Sequence, residues 1–276
     1  MQLTTSLRAF LAALACAALA ALTGCGGGGG GSSSAAPDSS GGRIVLADVK
    51  SAKTGYSYPI QIYIPPSYET GNASYPTIYA LDGDAVFSGT LNRFSNLKNI
   101  LQRRGTNAIL VGIGGTARRQ TDFNFPGAYA YHAFIAQELI PYVESQFRAD
   151  TRKRMLSGLS SGGNFAASAL FIEAPQNLVF TYFLSAEGAF WQQPDVIQTL
   201  EQQMFDAVAG KDLPVTLILA RGAAGNTTNA VYVDELYKRI AARRYSGMNL
   251  VETTFPLGHV EMDNPSFEDA IARILG

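Results

Sequence analysis

Cysteine is almost absent from this 276-residue chain, which contains only Cys16 and Cys25. Cys16 lies inside an apolar N-terminal stretch, and Cys25 follows that stretch closely. We therefore expect the folded part of the chain to contain no disulfide, no cysteine-based metal site and no cysteine nucleophile. Its stability must come from a hydrophobic core, and the chain is long enough to form one.

An excess of charge of one sign is also lacking. The chain has 21 lysines and arginines against 22 aspartates and glutamates, a net charge of −1, and 47% hydrophobic residues. Nucleic-acid binding depends on a basic surface, and this balance gives no sign of one. The composition predicts a globular protein that does not bind nucleic acid.

Long hydrophobic runs are limited to residues 9–22, a stretch of small apolar residues that follows Arg8. A membrane-spanning helix needs about 20 apolar residues, so this shorter run is typical of a signal peptide. The run ends in Leu22-Thr23-Gly24-Cys25, which resembles the lipobox of bacterial lipoproteins, where cleavage leaves a lipidated cysteine. We predict a signal peptide over 1–24 and lipidation of Cys25. An ordinary secretory signal is the alternative.

A glycine- and serine-rich segment follows, beginning with six consecutive glycines at 26–31 and ending at Gly42. Glycine has no side chain to bury and loses the most backbone entropy on folding, so we predict a disordered tether over 25–42. The folded domain is predicted over 43–276. A lipid anchor would place it in the cell envelope, attached to a bacterial membrane and facing the periplasm or the cell surface.

The predicted domain alternates short apolar runs with helical patterns. Strands are expected over 43–49 and 60–64, as an antiparallel pair, and then over 76–81, 108–113, 154–159, 179–184, 215–220 and 250–255. Helices are expected over 131–147, 165–171, 196–208, 231–243 and 266–275. Several runs are apolar on both faces, as in strands covered by helices on two sides. This alternation predicts an α/β fold with a mostly parallel, doubly wound central sheet flanked by helices.

One motif carries chemistry. Gly158-Leu159-Ser160-Ser161-Gly162 is a G-x-S-x-G pentapeptide between a predicted strand and a predicted helix. In α/β-hydrolases this setting places the serine on a sharp, strained turn above the sheet. The helix that follows directs backbone N–H groups towards a developing oxyanion. Ser160 is therefore the candidate nucleophile, and a glycine-rich loop without chemistry is the alternative.

A serine nucleophile needs a base, and the chain has only two histidines. His132 precedes Ser160 on a predicted helix, where a helix-face role is expected, and lining the cleft is the alternative. His259 follows the last predicted strand. The α/β-hydrolase order is serine, acid, histidine, so only His259 fits the base.

From about residue 58 to the C-terminus the chain resembles the putative-esterase group of α/β-hydrolases, which includes enterobactin-type siderophore esterases and esterase-D-like enzymes. The residues that carry the resemblance are 79–84, 111–114, Arg118, Arg119, Asp122, 138–141, 147–148, the serine motif and 185–191. The resemblance implies hydrolysis of a small carboxylic ester without a metal or organic cofactor. It also implies an oxyanion hole formed by the backbone N–H groups of Ser161 and Asp84. For the side chains of Asp82 and Asp84, turn stabilisation is the alternative role.

The expected acid is missing. The family's acid usually follows the strand predicted here over 215–220, but no carboxylate occurs before Asp234. Glu187, after the preceding strand, and Asp234 are candidates, and a Ser–His dyad without an acid is the third possibility. Glu261 and Asp263, close after His259, are expected to be surface charges.

The substrate is less defined. An aromatic cluster of Phe123, Phe125, Tyr129, Tyr131 and Trp191 could line an acyl or aryl pocket, or could serve packing. Arg118 and Arg119 could bind an anionic substrate such as a catecholate-type siderophore, or could be a solvated pair. Two other functions remain open: an acyltransferase of the same fold, and a non-catalytic surface lipoprotein.

Overall fold

The computed structural model describes residues 35–37, 41–223 and 227–276. The predicted signal peptide and Cys25 lie outside the described residues. Within the described ranges, no helix is both long enough and apolar enough to cross a membrane.

The described residues form a single nine-stranded sheet. In chain order, the strands are β1 (Ala35–Pro37), β2 (Arg43–Lys50), β3 (Ser57–Ile64), β4 (Tyr75–Ala80), β5 (Ile109–Ile113), β6 (Ala149–Leu159), β7 (Tyr182–Ala186), β8 (Thr216–Gly222) and β9 (Asn249–Phe255). Their spatial order is β1-β2-β3-β5-β4-β6-β7-β8-β9. The β1-β2, β2-β3 and β3-β5 pairs are antiparallel, and the five remaining pairs in this order are parallel. The prediction of a mostly parallel sheet is confirmed.

Helices cover both faces of the sheet. They are α1 (Arg93–Arg104), α2 (Arg119–Asp122), α3 (Gly127–Phe134), α4 (Ile140–Gln146), α5 (Ser161–Glu173), α6 (Pro194–Val208), α7 (Thr227–Arg243) and α8 (Asp263–Leu275), with a π-helical segment, Ile135–Leu139, between α3 and α4. One hydrophobic cluster contains apolar residues of α1 and α8, and the other contains those of α3 to α7. Strand residues alternate between the clusters: Ile78 joins the first and Tyr79 the second.

The predicted elements agree with the structure in type, but helices α1 and α2 were not predicted. The antiparallel pair is confirmed, with Arg43 opposite Ile64. The strand predicted over 179–184 begins later, at Tyr182. Helix α1 was not predicted, although Asn92 caps its start by accepting a hydrogen bond from Ser95 N, and Gly105 ends it at φ 64°.

Part of the predicted tether is structured. Ala35–Pro37 forms β1, which pairs antiparallel with the outer edge of β2. An exposed sheet edge presents unpaired backbone groups, and these can recruit a neighbouring segment whatever its side chains. These three residues therefore lie in a strand, inside the segment predicted to be a disordered tether over 25–42.

The chain reverses direction across the sheet at β4. From β4 it passes through α1 to β5, and it then returns to the other side of β4 as β6. The loops that follow β4 and β6 therefore both begin at the carboxyl ends of these strands, and they run towards opposite faces of the sheet. In open α/β sheets, ligands bind at such a reversal, beyond the carboxyl ends of the strands.

Candidate active site

Ser160 occupies the turn between β6 and α5, in a strained backbone conformation. Its φ of 60° and ψ of −120° lie outside the regions that residues with a side chain normally adopt. The turn depends on its glycines: a Cβ added at Gly158 would lie 2.2 Å from the carbonyl oxygen of Gly162. The predicted strand–turn–helix setting of the motif is present.

The turn is hydrogen-bonded to the end of β7 and to the loop that follows it. Ser160 N donates to the carbonyl oxygen of Ala186 at 2.9 Å, and Ser160 O accepts from Ala189 N at 3.0 Å. A Cβ at Gly163 would lie 2.7 Å from the Ala186 oxygen, so the helix start also approaches this loop closely. Ser160 is therefore fixed relative to the segment that contains Glu187.

Glu187 contacts the histidine predicted as the base. Its Oε2 lies 2.5 Å from His259 Nδ1, and its Oε1 accepts from Gly222 N at 2.9 Å. Glu187 is buried, whereas the His259 side chain is 27% exposed. With Nδ1 bonded to the carboxylate, Nε2 is the ring nitrogen available for a serine hydroxyl.

Of the arrangements left open by the sequence, the structure contains the one with Glu187. Asp234 instead pairs with Lys238 at 2.5 Å, one helical turn along α7. The arrangement without a carboxylate does not describe this structure, because Glu187 is bonded to the imidazole. No hydrogen bond joins Ser160 to His259 within the described ranges. Such contacts are often long in the absence of substrate.

Asn229 is a site residue that sequence reasoning missed. Its Nδ2 donates to the Glu187 carbonyl oxygen at 3.1 Å and lies 3.3 Å from His259 Nδ1, while its Oδ1 accepts from Trp191 Nε1 at 2.6 Å. Asn229 is buried and lies in the segment after β8, where an acid was expected. An amide stands where a carboxylate was expected, so the expected acid gave no signal for Asn229.

Of the two predicted oxyanion donors, one lies at the start of a helix and the other in a turn. Ser161 is the first residue of α5, and Asp84 belongs to the turn after β4. Within the described part of the chain, neither backbone N–H donates a hydrogen bond. The Asp84 carboxylate accepts from Gly115 N at 2.9 Å and from Thr116 N at 3.2 Å. The side chain thus stabilises the turn after β5.

The arginine pair is neutralised within the protein. Arg118 binds the Asp122 carboxylate with both Nε and a terminal nitrogen, at 3.2 and 3.1 Å. Arg119 donates to Asp82 at 3.2 Å and to the Leu159 carbonyl oxygen at 3.3 Å. Both side chains are partly exposed, and neither is left as an unpaired cation for an anionic substrate.

The aromatic cluster divides into two groups. Phe123 and Tyr131 are buried core residues, whereas Tyr129 and Trp191 are 49% and 45% exposed. Phe125 is partly buried and packs edge-on against Tyr129. The two buried rings serve packing, and the exposed rings remain available to a ligand.

His132 has a structural contact. Its Nε2 lies 2.8 Å from the buried carboxylate of Glu173, which also accepts from the backbone N–H groups of Val179 and Phe180. This contact joins α3 to α5 and agrees with the helix-face role expected for His132.

Asp82 is a buried carboxylate next to the elbow. Its Oδ2 would lie 3.1 Å from a Cβ at Gly162, and its Oδ1 has no hydrogen-bond partner within the described residues. Burial raises the pKa of Asp82 to about 6, against the opposing effect of the Arg119 guanidinium. A raised pKa means that the folded protein holds this proton more tightly than the unfolded chain does.

Ionisation of Asp82 should therefore oppose folding. The stability that this carboxyl contributes is present below the unfolded value of 3.8 and is lost as the pH rises through about 6. Asn tolerates the positive φ at this position, so Asp82→Asn should fold. The unfolding free energy of Asp82→Asn minus that of wild type should rise by roughly 2–3 kcal/mol between pH 4 and pH 7 in denaturant titrations.

A flat difference for Asp82→Asn would contradict the assignment of a raised pKa to Asp82.

Comparison with known proteins places this site in a family. The profile of the family described as "Putative esterase" matches residues 51–221, more than half of the chain. The ferri-bacillibactin esterase BesA of Bacillus subtilis (strain 168) is 25% identical over 214 residues, which are 66% of this chain and 72% of BesA. The matched family segment contains Ser160 and Glu187 but ends before His259.

Solved structures share the fold. An IroE-like serine hydrolase from Shewanella oneidensis superposes with a TM-score of 0.71 at 20% identity, covering 84% of this chain and 80% of that one. The siderophore hydrolase EstA from Aspergillus nidulans gives a TM-score of 0.69 at 21% identity, covering 83% of this chain and 93% of EstA. With the sheet order, the serine elbow and the family match together, this chain belongs to the "Putative esterase" family and is a serine ester hydrolase of the α/β-hydrolase fold.

Proposed function

We propose that Ser160, His259 and Glu187 form the catalytic triad of this esterase, and that the substrate is a small or siderophore-like carboxylic ester. The observation that carries the proposal is the hydrogen bond between His259 and the buried Glu187, next to a strained serine turn. Strained backbone and a buried carboxylate–imidazole pair are both costly, and their coincidence is typical of an active site.

The proposed chemistry is acyl transfer to water. His259 Nε2 accepts the Ser160 proton while the serine oxygen attacks the ester carbonyl carbon. The N–H groups of Ser161 and Asp84 bind the oxyanion. His259 then protonates the leaving alkoxide, and water, deprotonated by the same imidazole, releases the carboxylic acid and regenerates Ser160. Glu187 stabilises the imidazolium in both steps.

The substrate class is supported by the relatives and by the exposed aromatics. BesA is named a ferri-bacillibactin esterase, and EstA is named a siderophore hydrolase. Trp191 presents an exposed indole while its Nε1 is held by Asn229, so a substrate ring can stack on it without competing for that bond. Since Arg118 and Arg119 are paired with carboxylates, ring stacking is a better source of affinity here than charge.

An acyltransferase would use the same residues and differ only in the acceptor. Product analysis with added alcohols or sugars separates the two reactions. A non-catalytic lipoprotein is disfavoured, because a binding module has no need of a histidine held by a buried carboxylate.

Removal of the nucleophile tests the proposal directly. Ser160→Ala should lower the turnover of a p-nitrophenyl ester by at least about 10³-fold and leave the melting temperature near that of wild type. A fluorophosphonate probe should label wild type but not the variant. Equal labelling of both proteins would exclude Ser160 as the nucleophile.

The acid is tested by a matched pair of amide variants. Glu187→Gln keeps an acceptor for Gly222 N but presents an amide to His259, which favours the wrong imidazole tautomer, so kcat should fall about 10³–10⁴-fold. Asp234→Asn replaces a carboxylate that is paired with Lys238, and it should change kcat by less than about threefold. A small loss in folded Glu187→Gln would restore the dyad as the better account.

The cell-envelope location is a separate proposal. We infer a lipid-anchored protein with Cys25 as the modified residue, from the apolar run at 9–22 and the motif that ends it. The anchor would be that of a periplasm-facing or surface-exposed lipoprotein.

Cys25→Ser tests the anchor in a bacterial host with lipoprotein processing. Wild type should partition into the membrane fraction, with a mass that exceeds the cleaved polypeptide by a lipid modification. The variant should lose that extra mass and the membrane association. A variant that remains membrane-associated, with the same mass shift as wild type, would refute lipidation at Cys25.

A further inference from the structure

Arg93, the first residue of α1, is a fully bonded buried cation. Its side chain has 0% exposure, yet its guanidinium donates five hydrogen bonds, one for each of its N–H groups. The acceptors belong to only three residues: Leu81, Ser157 and Asp263. Each of these lies on the chain close to a different residue of the proposed reaction.

On one side, Arg93 holds the turn that contains His259. Its Nε and a terminal nitrogen bind the two oxygens of Asp263 at 2.8 and 2.9 Å. Asp263 begins α8, four residues after His259, and a Met262 N to Gly258 O hydrogen bond closes the intervening turn. The expectation that Asp263 is a surface charge was wrong, because its side chain is only 6% exposed.

On the other side, Arg93 holds the strand that leads to the nucleophile. One terminal nitrogen donates to the Ser157 carbonyl oxygen at 3.2 Å, and the other donates to Ser157 Oγ at 2.9 Å. Ser157 lies in β6, three residues before Ser160.

The same residue holds the loop that contains the proposed oxyanion donor Asp84. The Arg93 side chain donates to Leu81 O at 2.8 Å, and its backbone N–H donates to Ala85 O at 2.8 Å. The next residue, Phe94, donates its N–H to Gly83 O at 3.1 Å. Asp84 is therefore flanked by carbonyl groups fixed to the start of α1.

We propose that Arg93 is a positioning residue that sets the relative placement of Asp84, Ser160 and His259. The inference rests on the function proposed above. Arg93 reaches no reacting atom through any of these bonds and acts only through the three segments that it joins. The planar fork of arginine can satisfy all the acceptors at once, whereas the single ammonium of lysine cannot.

Arg93→Lys is the direct test, since it keeps the charge but loses the fork. Displacement of a catalytic group by about 1 Å can lower a rate about 10²-fold. We expect kcat for a p-nitrophenyl ester to fall about 10–100-fold, with KM within about threefold of wild type. The rate of fluorophosphonate labelling at Ser160 should fall in parallel.

Arg154→Lys is the matched control. Arg154 lies on the same strand, β6, and binds Glu144 through a similar fork, at 2.6 and 3.0 Å, as well as the Val179 carbonyl oxygen. It lies six residues before Ser160, towards the other end of the strand. Its kcat should stay within about twofold of wild type, when both variants are assayed well below their melting temperatures.

The double variant Arg93→Met with Asp263→Leu separates positioning from stability. Apolar pairs of similar volume often replace a buried ion pair without loss of stability. We expect this protein to fold and to remain about 10–100-fold lower in kcat. Recovery of wild-type kcat in it would overturn the proposal, as would full kcat in folded Arg93→Lys or equal losses in Arg154→Lys. Failure of the proposed function is distinct: Ser160→Ala would then retain turnover with Arg93 intact.

Discussion

The backbone of Ser160 is the constraint on which the rest of the site depends. Ser160 has a side chain and is nevertheless held at φ 60°. This conformation is tolerated because Gly158 and Gly162 leave room where β6 and α5 approach each other. The turn is then bonded through Ser160 N and O to the loop after β7. Local strain is thus maintained by long-range contacts, and the same contacts fix the segment that contains Glu187 relative to this turn.

Glu187 is held by the strand beside it as well as by its own. It has a positive φ of 43°, its N–H donates to Ala220 O, and its Oε1 accepts from Gly222 N. The carboxylate therefore reaches across the end of β8 towards His259. The segment after β8, which usually supplies the acid in this family, supplies Asn229 instead. In the proposed triad the acid follows β7, the strand next to β8.

The sequence predicted those features that depend on local patterns and chain order. The elbow at Ser160 follows from a pentapeptide between a strand and a helix, and His259 follows from its place after the last strand. The sequence did not decide between Glu187 and Asp234, because the choice depends on how β7, β8 and β9 align in space. Helix α1 was missed although its caps, Asn92 and Gly105, were readable. The roles of Arg93 and Asp263 were not readable, since they are 170 residues apart in the chain and meet only in the fold.

The tautomer of His259 is the most direct test of the central claim, that a buried carboxylate orients this imidazole for Ser160. The chain has only two histidines, so ¹⁵N-labelled imidazoles give two sets of NMR signals, and a His132→Gln variant assigns them. At a pH where His259 is neutral, we expect a proton on Nδ1, facing Glu187, and a free lone pair on Nε2. A neutral His259 with its proton on Nε2 would refute this orientation, because that nitrogen could not then accept the proton of Ser160.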